Sequence, residues 1–153
     1  VDINEAIETT LNIIWNELKG HVTLKKDYGD LPPVKCFPQK ISQVFMNILL
    51  NASQAIEGKG LVQITTKLSM DGNQVKDQYA VIIISDTGKG ISDKQMKHIF
   101  DPFYTTKPEG KGTGLGLSIV YDIIKAHDGL IEVDSKLGNG SVFKISIPIN
   151  GPR

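Results

Sequence analysis

Two asparagines lie in a stretch of the chain that has a helical pattern. Asn47 and Asn51 are one turn apart, and apolar residues between positions 41 and 56 recur at steps of three and four. Asparagine is a poor helix former because its side chain competes for backbone hydrogen bonds, so two in mid-helix need a reason. Amide oxygens suit Mg²⁺, a hard cation that keeps several waters. The pattern predicts a polar face turned towards a ligand or hydrated metal, and a solvated face is the alternative.

An aspartate and two glycines directly follow the most apolar run of the sequence, residues 81–84. A carboxylate at the end of a strand, here Asp86, can accept a hydrogen bond from an exocyclic amine such as that of adenine. Gly88 and Gly90 allow a ligand to approach the backbone closely. The segment therefore predicts a binding loop, and the alternative is an ordinary turn, since Asp-Thr-Gly is common turn chemistry.

Four glycines at alternate positions, Gly110, Gly112, Gly114 and Gly116, lead directly into a second helical pattern. Backbone N–H groups at such a helix start, together with the helix dipole, form an anion site. The alternative is a flexible linker, and the abrupt passage into an amphipathic helix argues against it. Shortly before these glycines, Lys107 can reach phosphates as a mobile point charge, or it is simply a surface lysine.

Other phosphate- and metal-binding motifs do not fit the sequence. A P-loop needs Ser or Thr after its Gly-Lys pair, and glycine follows the pairs at 58–59, 88–89 and 110–111. The three histidines are widely spaced and accompany a single cysteine, so we predict no metal cluster and a structural role for each.

The elements that position these residues follow from hydrophobic periodicity. The run at 81–84 predicts a central strand covered on both faces. Helices and antiparallel hairpins are segregated rather than alternating, which indicates helices on one face of a mixed sheet. We predict helices at residues 3–18, 38–56 and 117–127, and strands at residues 21–28, 34–37, 61–68, 79–85, 130–134 and 141–149.

Length and charge restrict the class of protein. A chain of 153 residues fits one domain, and 17 basic residues balance 17 acidic ones. The zero net charge argues against a nucleic-acid or anionic-membrane binder. No apolar run approaches the ~20 residues that cross a bilayer, and a single cysteine favours a reducing compartment. We expect a cytoplasmic, monomeric fragment, with a membrane anchor elsewhere in a parent protein left open.

Four motifs, at residues 47–52, 86–91, 100–103 and 112–117, resemble the N, G1, F and G2 boxes of the catalytic ATP-binding domain of bacterial-type sensor histidine kinases. That family lies within the gyrase, heat-shock chaperone, histidine kinase and MutL ATPase superfamily. The resemblance implies an α+β fold, the two-layer α/β sandwich called the Bergerat fold. Its sheet would be mixed and mostly antiparallel, with about three helices on one face. A single domain at residues 1–153 would carry a mobile ATP lid at about residues 92–115.

The resemblance also implies which residues bind ATP and Mg²⁺. Asn51 would be the Mg²⁺ ligand, and Asn47 would contact metal-bound water or phosphate. Asp86 would hold the adenine amine, assisted through water by Ser141, and Lys107 would meet the terminal phosphate. The remaining ATP contacts would come from Gly88, Gly90, Ile91, Phe100, Gly112, Thr113, Gly114, Leu115, Gly116 and Leu117.

The implied activity is transfer of the γ-phosphoryl group of ATP to a histidine, with Asn47 and Lys107 as the catalytic residues. Hydrolytic relatives place a glutamate, the general base for water, where this chain has Asn47. Asparagine cannot take a proton, so hydrolysis is disfavoured and the phosphoryl group is kept for an external acceptor. Gln54 replaces a basic residue that many histidine kinases carry, which leaves Lys59 and Lys107 as candidate cations.

The acceptor itself is expected on another domain. In this chain isoleucine follows His98 and valine follows His21, whereas the family's acceptor histidine is followed by an acidic residue. The implied partners are the kinase's own dimerisation and histidine-phosphotransfer domain and, indirectly, a response regulator. Two alternatives stay open: an ATP-operated clamp of the gyrase or MutL type, and a nucleotide-binding module without catalysis.

Overall fold

A computed structural model describes residues 1–70, 72, 74, 77–104 and 116–151 of the chain. Helices and strands follow one another in the order αα β α ββ αα ββ. The helices are α1 (Ile3–Ile13), α2 (Trp15–Leu18), α3 (Pro38–Ala55), α4 (Asp93–Met96) and α5 (Gly116–Ala126). The strands are β1 (Val22–Tyr28), β2 (Gly60–Met70), β3 (Gln78–Asp86), β4 (Leu130–Ser135) and β5 (Ser141–Pro148).

The five strands form one mixed sheet in the order β1-β2-β3-β5-β4. Only the β1–β2 pair is parallel, and the other three pairs are antiparallel. Antiparallel pairing of β3 with β5 places Asp86, the last residue of β3, opposite Ser141, the first residue of β5. The predicted mixed, mostly antiparallel sheet is confirmed, and its register brings two predicted site residues together.

Helix α3 is the centre of the helical layer. It packs against α1, α2 and α5 and against the central strand β3. Pro38 starts it, where a missing N–H costs nothing and the fixed φ suits the first turn. Its apolar positions are buried in the core together with residues of α1, α5 and the sheet, among them Ile3, Ile7, Ile41, Phe45, Ile48, Leu49, Ile82, Ile84, Ile124 and Phe143.

Two element predictions need correction, and one short helix was not predicted. The helix predicted at 3–18 breaks at Ile14, yet Ile14 and Leu18 remain buried, so the apolar stripe survives the break. Residues 34–37 form no strand; instead the N–H groups of Val34 and Lys35 donate to the carbonyls of residues 1 and 149. Helix α4 was not predicted, although its capping box, Ser92 with Gln95, is legible in the sequence.

The apolar run of β3 is central but unevenly covered. Ile82 and Ile84 join the core with the helices. Val81 and Ile83 point to the opposite face of the sheet, where Val81 is buried and Ile83 stays partly exposed. The prediction of cover on both faces is therefore wrong at Ile83.

None of the helices in the described ranges is long and apolar enough to cross a bilayer.

Candidate functional site

One side of α3 connects the two glycine-containing segments. Near the middle of the helix, Asn47 Nδ2 donates to the carbonyl of Gly116, the first residue of α5, over 3.1 Å. At the end of the helix, the carbonyl of Ala55 accepts from the N–H of Lys89 over 2.9 Å. Asn51 lies half-buried between them, one turn from each. At 1.5 Å per residue, the two contacts are about 12 Å apart along α3, so the polar side of this helix faces a continuous site.

Asp86 lies at one end of this site. Its side chain is 7% exposed, and its Oδ1 accepts the N–H of Gly88 over 2.8 Å. The N–H of Ser141 also donates to the carboxylate. Burial raises the pKa of Asp86, and the two amide hydrogen bonds lower it by less. The carboxylate is therefore rigidly held as an acceptor at the end of the central strand.

Gly88 and Gly90 are required by the packing of the protein itself. A Cβ at Gly88 would lie 2.6 Å from the carbonyl oxygen of Ala55. Gly90 has a φ of +74°, and a Cβ there would collide with the carbonyl oxygen of Lys136. These glycines let residues 86–91 lie directly against α3 on one side and the β4–β5 turn on the other, which shapes the site.

Gly116 is different from these two. A Cβ added there would meet no described atom within 4 Å, and its backbone is the first turn of α5. The described neighbours therefore give no steric reason for glycine at this position.

Three further predicted residues connect the site to the hydrophobic core. Ile91, Phe100 and Leu117 are partly buried and pack against the hydrophobic core. The ring of Phe100 also lies 5.3 Å from that of Tyr121 on α5, centroid to centroid. The segment that carries Phe100 is thereby anchored to the helix that begins at Gly116.

An open depression of about 490 Å³ adjoins Asn47 on the first half of α3. Its lining residues are Pro38, Gln39, Ser42, Gln43, Met46 and Asn47. The amide of Asn47 therefore borders space that could accommodate a ligand or a partner side chain.

Several predicted site residues lie outside the described residues: Lys107, Gly112, Thr113, Gly114 and Leu115. The same holds for positions 105–115 of the predicted lid, of which the structure describes only the first part, residues 92–104.

The oxygen donors of this site suit a hard cation that is bound mainly by the phosphates of a substrate and by water. Among the described residues, no group of three or more His, Cys, Asp and Glu is arranged to hold a metal. Mg²⁺ commonly takes one or two protein oxygens, several waters and substrate phosphates. The half-buried amide of Asn51, one turn from Asn47, is compatible with that mode of binding.

Sequence reasoning missed Ser135, whose hydroxyl lies 2.7 Å from that of Ser141 and accepts the N–H of Ile91. The signal was available, because a hairpin closed by residues 137–140 pairs residue 135 with residue 141.

Comparisons with known proteins agree on one family. Residues 37–151 match the model of the histidine kinase-, DNA gyrase B- and HSP90-like ATPases. The chain is 38% identical over 152 residues to the sensor histidine kinase ZraS of Escherichia coli K12, covering 98% of this chain and 31% of ZraS. The chain therefore spans about a third of the length of that relative.

Solved structures show the same architecture. The catalytic domain of histidine kinase ThkA superposes with a TM-score of 0.81 at 27% identity, covering 98% of this chain and 94% of that one. Full-length ShkA, solved in complex with AMPPNP, superposes with a TM-score of 0.80 at 25% identity, covering 99% of this chain and 31% of ShkA. The five-stranded α+β sandwich is thus that of histidine kinase catalytic domains.

Proposed function

This chain belongs to the histidine kinase-, DNA gyrase B- and HSP90-like ATPase family, and we propose that it is the ATP-binding catalytic domain of a sensor histidine kinase. It binds ATP with Mg²⁺ and gives up the γ-phosphoryl group to a histidine on a separate dimerisation domain. The whole of residues 1–153 forms this single domain, and residues 92–115 form its lid.

The continuous polar side of α3 carries this proposal. Asn47, Asn51 and Ala55 follow one another at one-turn intervals, and the helix contacts Gly116 near its middle and the Gly88 segment at its end. A nucleotide lying along this side places its base at Asp86 and its phosphates near Asn47 and the start of α5. The start of a helix suits phosphate, because unpaired N–H groups and the helix dipole favour an anion there.

Each residue then has a definite task. Asp86 accepts from the adenine amine, assisted by Ser141, while Gly88, Gly90 and Ile91 shape the base pocket. Asn51 supplies an amide oxygen to Mg²⁺. When bound, the metal offsets the negative charge that develops on the phosphates during transfer.

Asn47 separates phosphoryl transfer from hydrolysis. Its Nδ2 is directed at Gly116, so its Oδ1 is the atom that would accept from a metal-bound water or face the phosphates. An amide cannot remove a proton from water, so this position offers no general base. The phosphoryl group is thereby reserved for the acceptor, with Lys107 and the glycines at 112, 114 and 116 completing the phosphate site.

The decisive experiment mixes this domain with its cognate helical histidine domain and ATP labelled at the γ-phosphate. We expect acid-labile phosphohistidine on the added domain, and none when its acceptor histidine is replaced by glutamine. Asn51→Ala should abolish the signal, whereas Asn16→Ala, a change on the exposed surface of α2, should leave it intact.

The same mixture discriminates the two alternatives. Release of free phosphate without a phosphoprotein would instead support a hydrolytic clamp. ATP binding with neither product would indicate a module without catalysis. Either result would overturn the kinase assignment.

A further inference from the structure

We propose that Ser135 is a positioning residue that fixes the hydroxyl of Ser141 as an acceptor beside Asp86 and so contributes to the choice of adenine over guanine. The inference rests on the proposed function, because it takes a purine to lie against Asp86.

Ser135 is a junction between the two walls of the base pocket. Its Oγ accepts the N–H of Ile91 over 2.8 Å, donates to the carbonyl of Gly140 over 2.9 Å, and lies 2.7 Å from Oγ of Ser141. Ile91 belongs to the segment that follows Asp86, whereas Gly140 directly precedes β5 and Ser141 begins it. One hydroxyl therefore links both segments that border the carboxylate.

The direction of the Ser135–Ser141 hydrogen bond follows from counting hydrogens. A serine hydroxyl has one hydrogen and two lone pairs. Ser135 uses its hydrogen on the Gly140 carbonyl, which can only accept, and one lone pair on the Ile91 N–H. Only its second lone pair remains for Ser141. With the Ser135 hydrogen on the Gly140 carbonyl, Ser141 donates its hydrogen to Ser135, which leaves its own Oγ with lone pairs alone.

The surroundings of Asp86 therefore present acceptors to a ligand. The N–H groups of Gly88 and Ser141 are both directed at the Asp86 carboxylate. Ser141 is 5% exposed and lies opposite Asp86 in the ladder, so water cannot easily reorient its hydroxyl. A ligand or a bridging water next to this pair meets a carboxylate and a hydroxyl oxygen that both require a donor.

This polarity matches adenine and opposes guanine. At the corresponding position adenine carries an amine, which donates, whereas guanine carries O6, which accepts. Without Ser135 the hydroxyl of Ser141 would be free to rotate and donate to O6, directly or through a water. Ser135 thus acts on base choice through the orientation of a neighbouring hydrogen, without touching the base.

The test is the ratio of ATP to GTP affinity in the presence of Mg²⁺, measured by calorimetry on the whole chain. In Ser135→Ala we expect GTP binding to improve relative to ATP by about fivefold, as expected for one newly available neutral hydrogen bond. Ser135→Thr keeps the hydroxyl and should retain the wild-type ratio. In Ser135→Ala combined with Ser141→Ala, the rotating donor is gone and the gain for GTP should disappear.

A matched control variant separates the effect on the orientation of the Ser141 hydroxyl from a general loss of stability. Ser53 is a buried serine, whereas Ser135 is half-buried, and the Ser53 hydroxyl donates to the carbonyl of Glu17, far along the chain from the β4–β5 turn. Ser53→Ala should lower the urea midpoint by an amount similar to Ser135→Ala and leave the affinity ratio unchanged.

The possible failures are distinguishable. An unchanged ratio in Ser135→Ala, or a gain for GTP that persists in the double variant, overturns this inference and leaves the proposed function standing. A wild-type chain that binds neither nucleotide overturns both.

Discussion

At the scale of single residues, the Asp86 carboxylate is held in a buried position by two backbone amides. Among the described residues, Lys26 forms an ion pair with Glu8 and the His98 ring bonds to Asp101, and neither contact involves Asp86. Burial raises the pKa of Asp86, and the two amide hydrogen bonds offset that effect only in part. A ligand amine that donates to this carboxylate therefore meets an acceptor that is already oriented.

Replacing this acceptor should weaken ATP binding. In Asp86→Asn the side chain presents an NH₂ group where an oxygen accepted, and one polar contact is left unmatched. We expect a loss of about 1–3 kcal/mol in ATP binding free energy, measured by calorimetry. Asp134→Asn, an exposed change on β4, is the control and should bind ATP like the wild type. Unchanged affinity in Asp86→Asn would remove Asp86 from the base pocket.

Asn51 should matter only when the metal is present. Its amide oxygen is proposed to bind Mg²⁺, so Asn51→Ala should weaken Mg²⁺–ATP binding much more than binding of ATP in EDTA. Titrations under both conditions test this, with Asn16→Ala as the surface control. Equal losses with and without Mg²⁺ would contradict a metal-binding role.

At the scale of elements, backbone contacts hold residues 86–91 in place. Gly90 and Gly138 both have a positive φ, of +74° and +85°, but only Gly90 has a backbone carbonyl where a Cβ would lie. The two glycines are therefore a matched pair that separates conformational strain from a steric clash.

We expect Gly138→Ala to lower the free energy of unfolding by about 1–2 kcal/mol, which is the cost of a left-handed conformation. Gly90→Ala should cost about 1–3 kcal/mol more, because the added methyl forces the backbone of the turn at Lys136 to move. Urea denaturation measures both values. Similar losses of unfolding free energy in the two variants would show that the backbone near Gly90 can move to accommodate a methyl group at little cost.

A buried histidine joins the start of α3 to the end of α5. His127 is 1% exposed; its Nε2 lies 3.1 Å from the N–H of Phe37 and its Nδ1 lies 2.7 Å from the carbonyl of Ile123. The N–H can only donate and the carbonyl can only accept, so Nε2 is the acceptor and Nδ1 the donor in these two contacts. The predicted structural role of this residue is confirmed, and it spans 90 positions of sequence.

His127→Ala should leave both backbone groups without their partner and create a cavity. We expect the free energy of unfolding to fall by about 2–4 kcal/mol, from the unsatisfied groups and the lost packing. His98→Ala removes an exposed contact with Asp101 and a ring contact with Tyr104, and should cost less than about 1 kcal/mol. Equal effects of the two changes on the urea midpoint would contradict the proposal that His127 stabilises the contact between α3 and α5.

At the scale of the whole molecule, three long helices cover one face of the sheet, and α3 lies between α1 and α5. The proposed nucleotide contacts both the sheet, through Asp86, and two helices, through Asn47 and Gly116. Because it would bind only the folded chain, nucleotide should stabilise the whole domain through mass action.

Mg²⁺ with ATP should therefore raise the free energy of unfolding, by about 2.7 kcal/mol when free ligand is 100 times the Kd. Addition of EDTA should remove most of this gain, because the metal links the phosphates to α3. Thermal or urea denaturation with Mg²⁺ alone provides the control. A gain that survives chelation would place ATP binding on Asp86 and the base pocket alone.

The sequence by itself determined the features that depend on near neighbours. The apolar spacing of α3 predicted its buried side, and the same spacing placed Asn47 and Asn51 together on the other. The apolar run before Asp86 predicted the central strand, and the glycine-rich turn before Ser141 predicted the closing hairpin. Periodicity is a local property of the chain, so it predicts which side of an element is buried, but it does not show where a helix is interrupted, as at Ile14.

Only the tertiary structure decided which distant segments meet. It packs Gly88 against the end of α3 and brings His127 to the amide of Phe37. It also brings the hydroxyl of Ser135 into contact with the two segments that border Asp86. It left residues 34–37 outside the sheet, because the N–H groups of Val34 and Lys35 pair with the carbonyls of residues 1 and 149. Such contacts depend on how complete elements pack, and no local pattern of residue types encodes that arrangement.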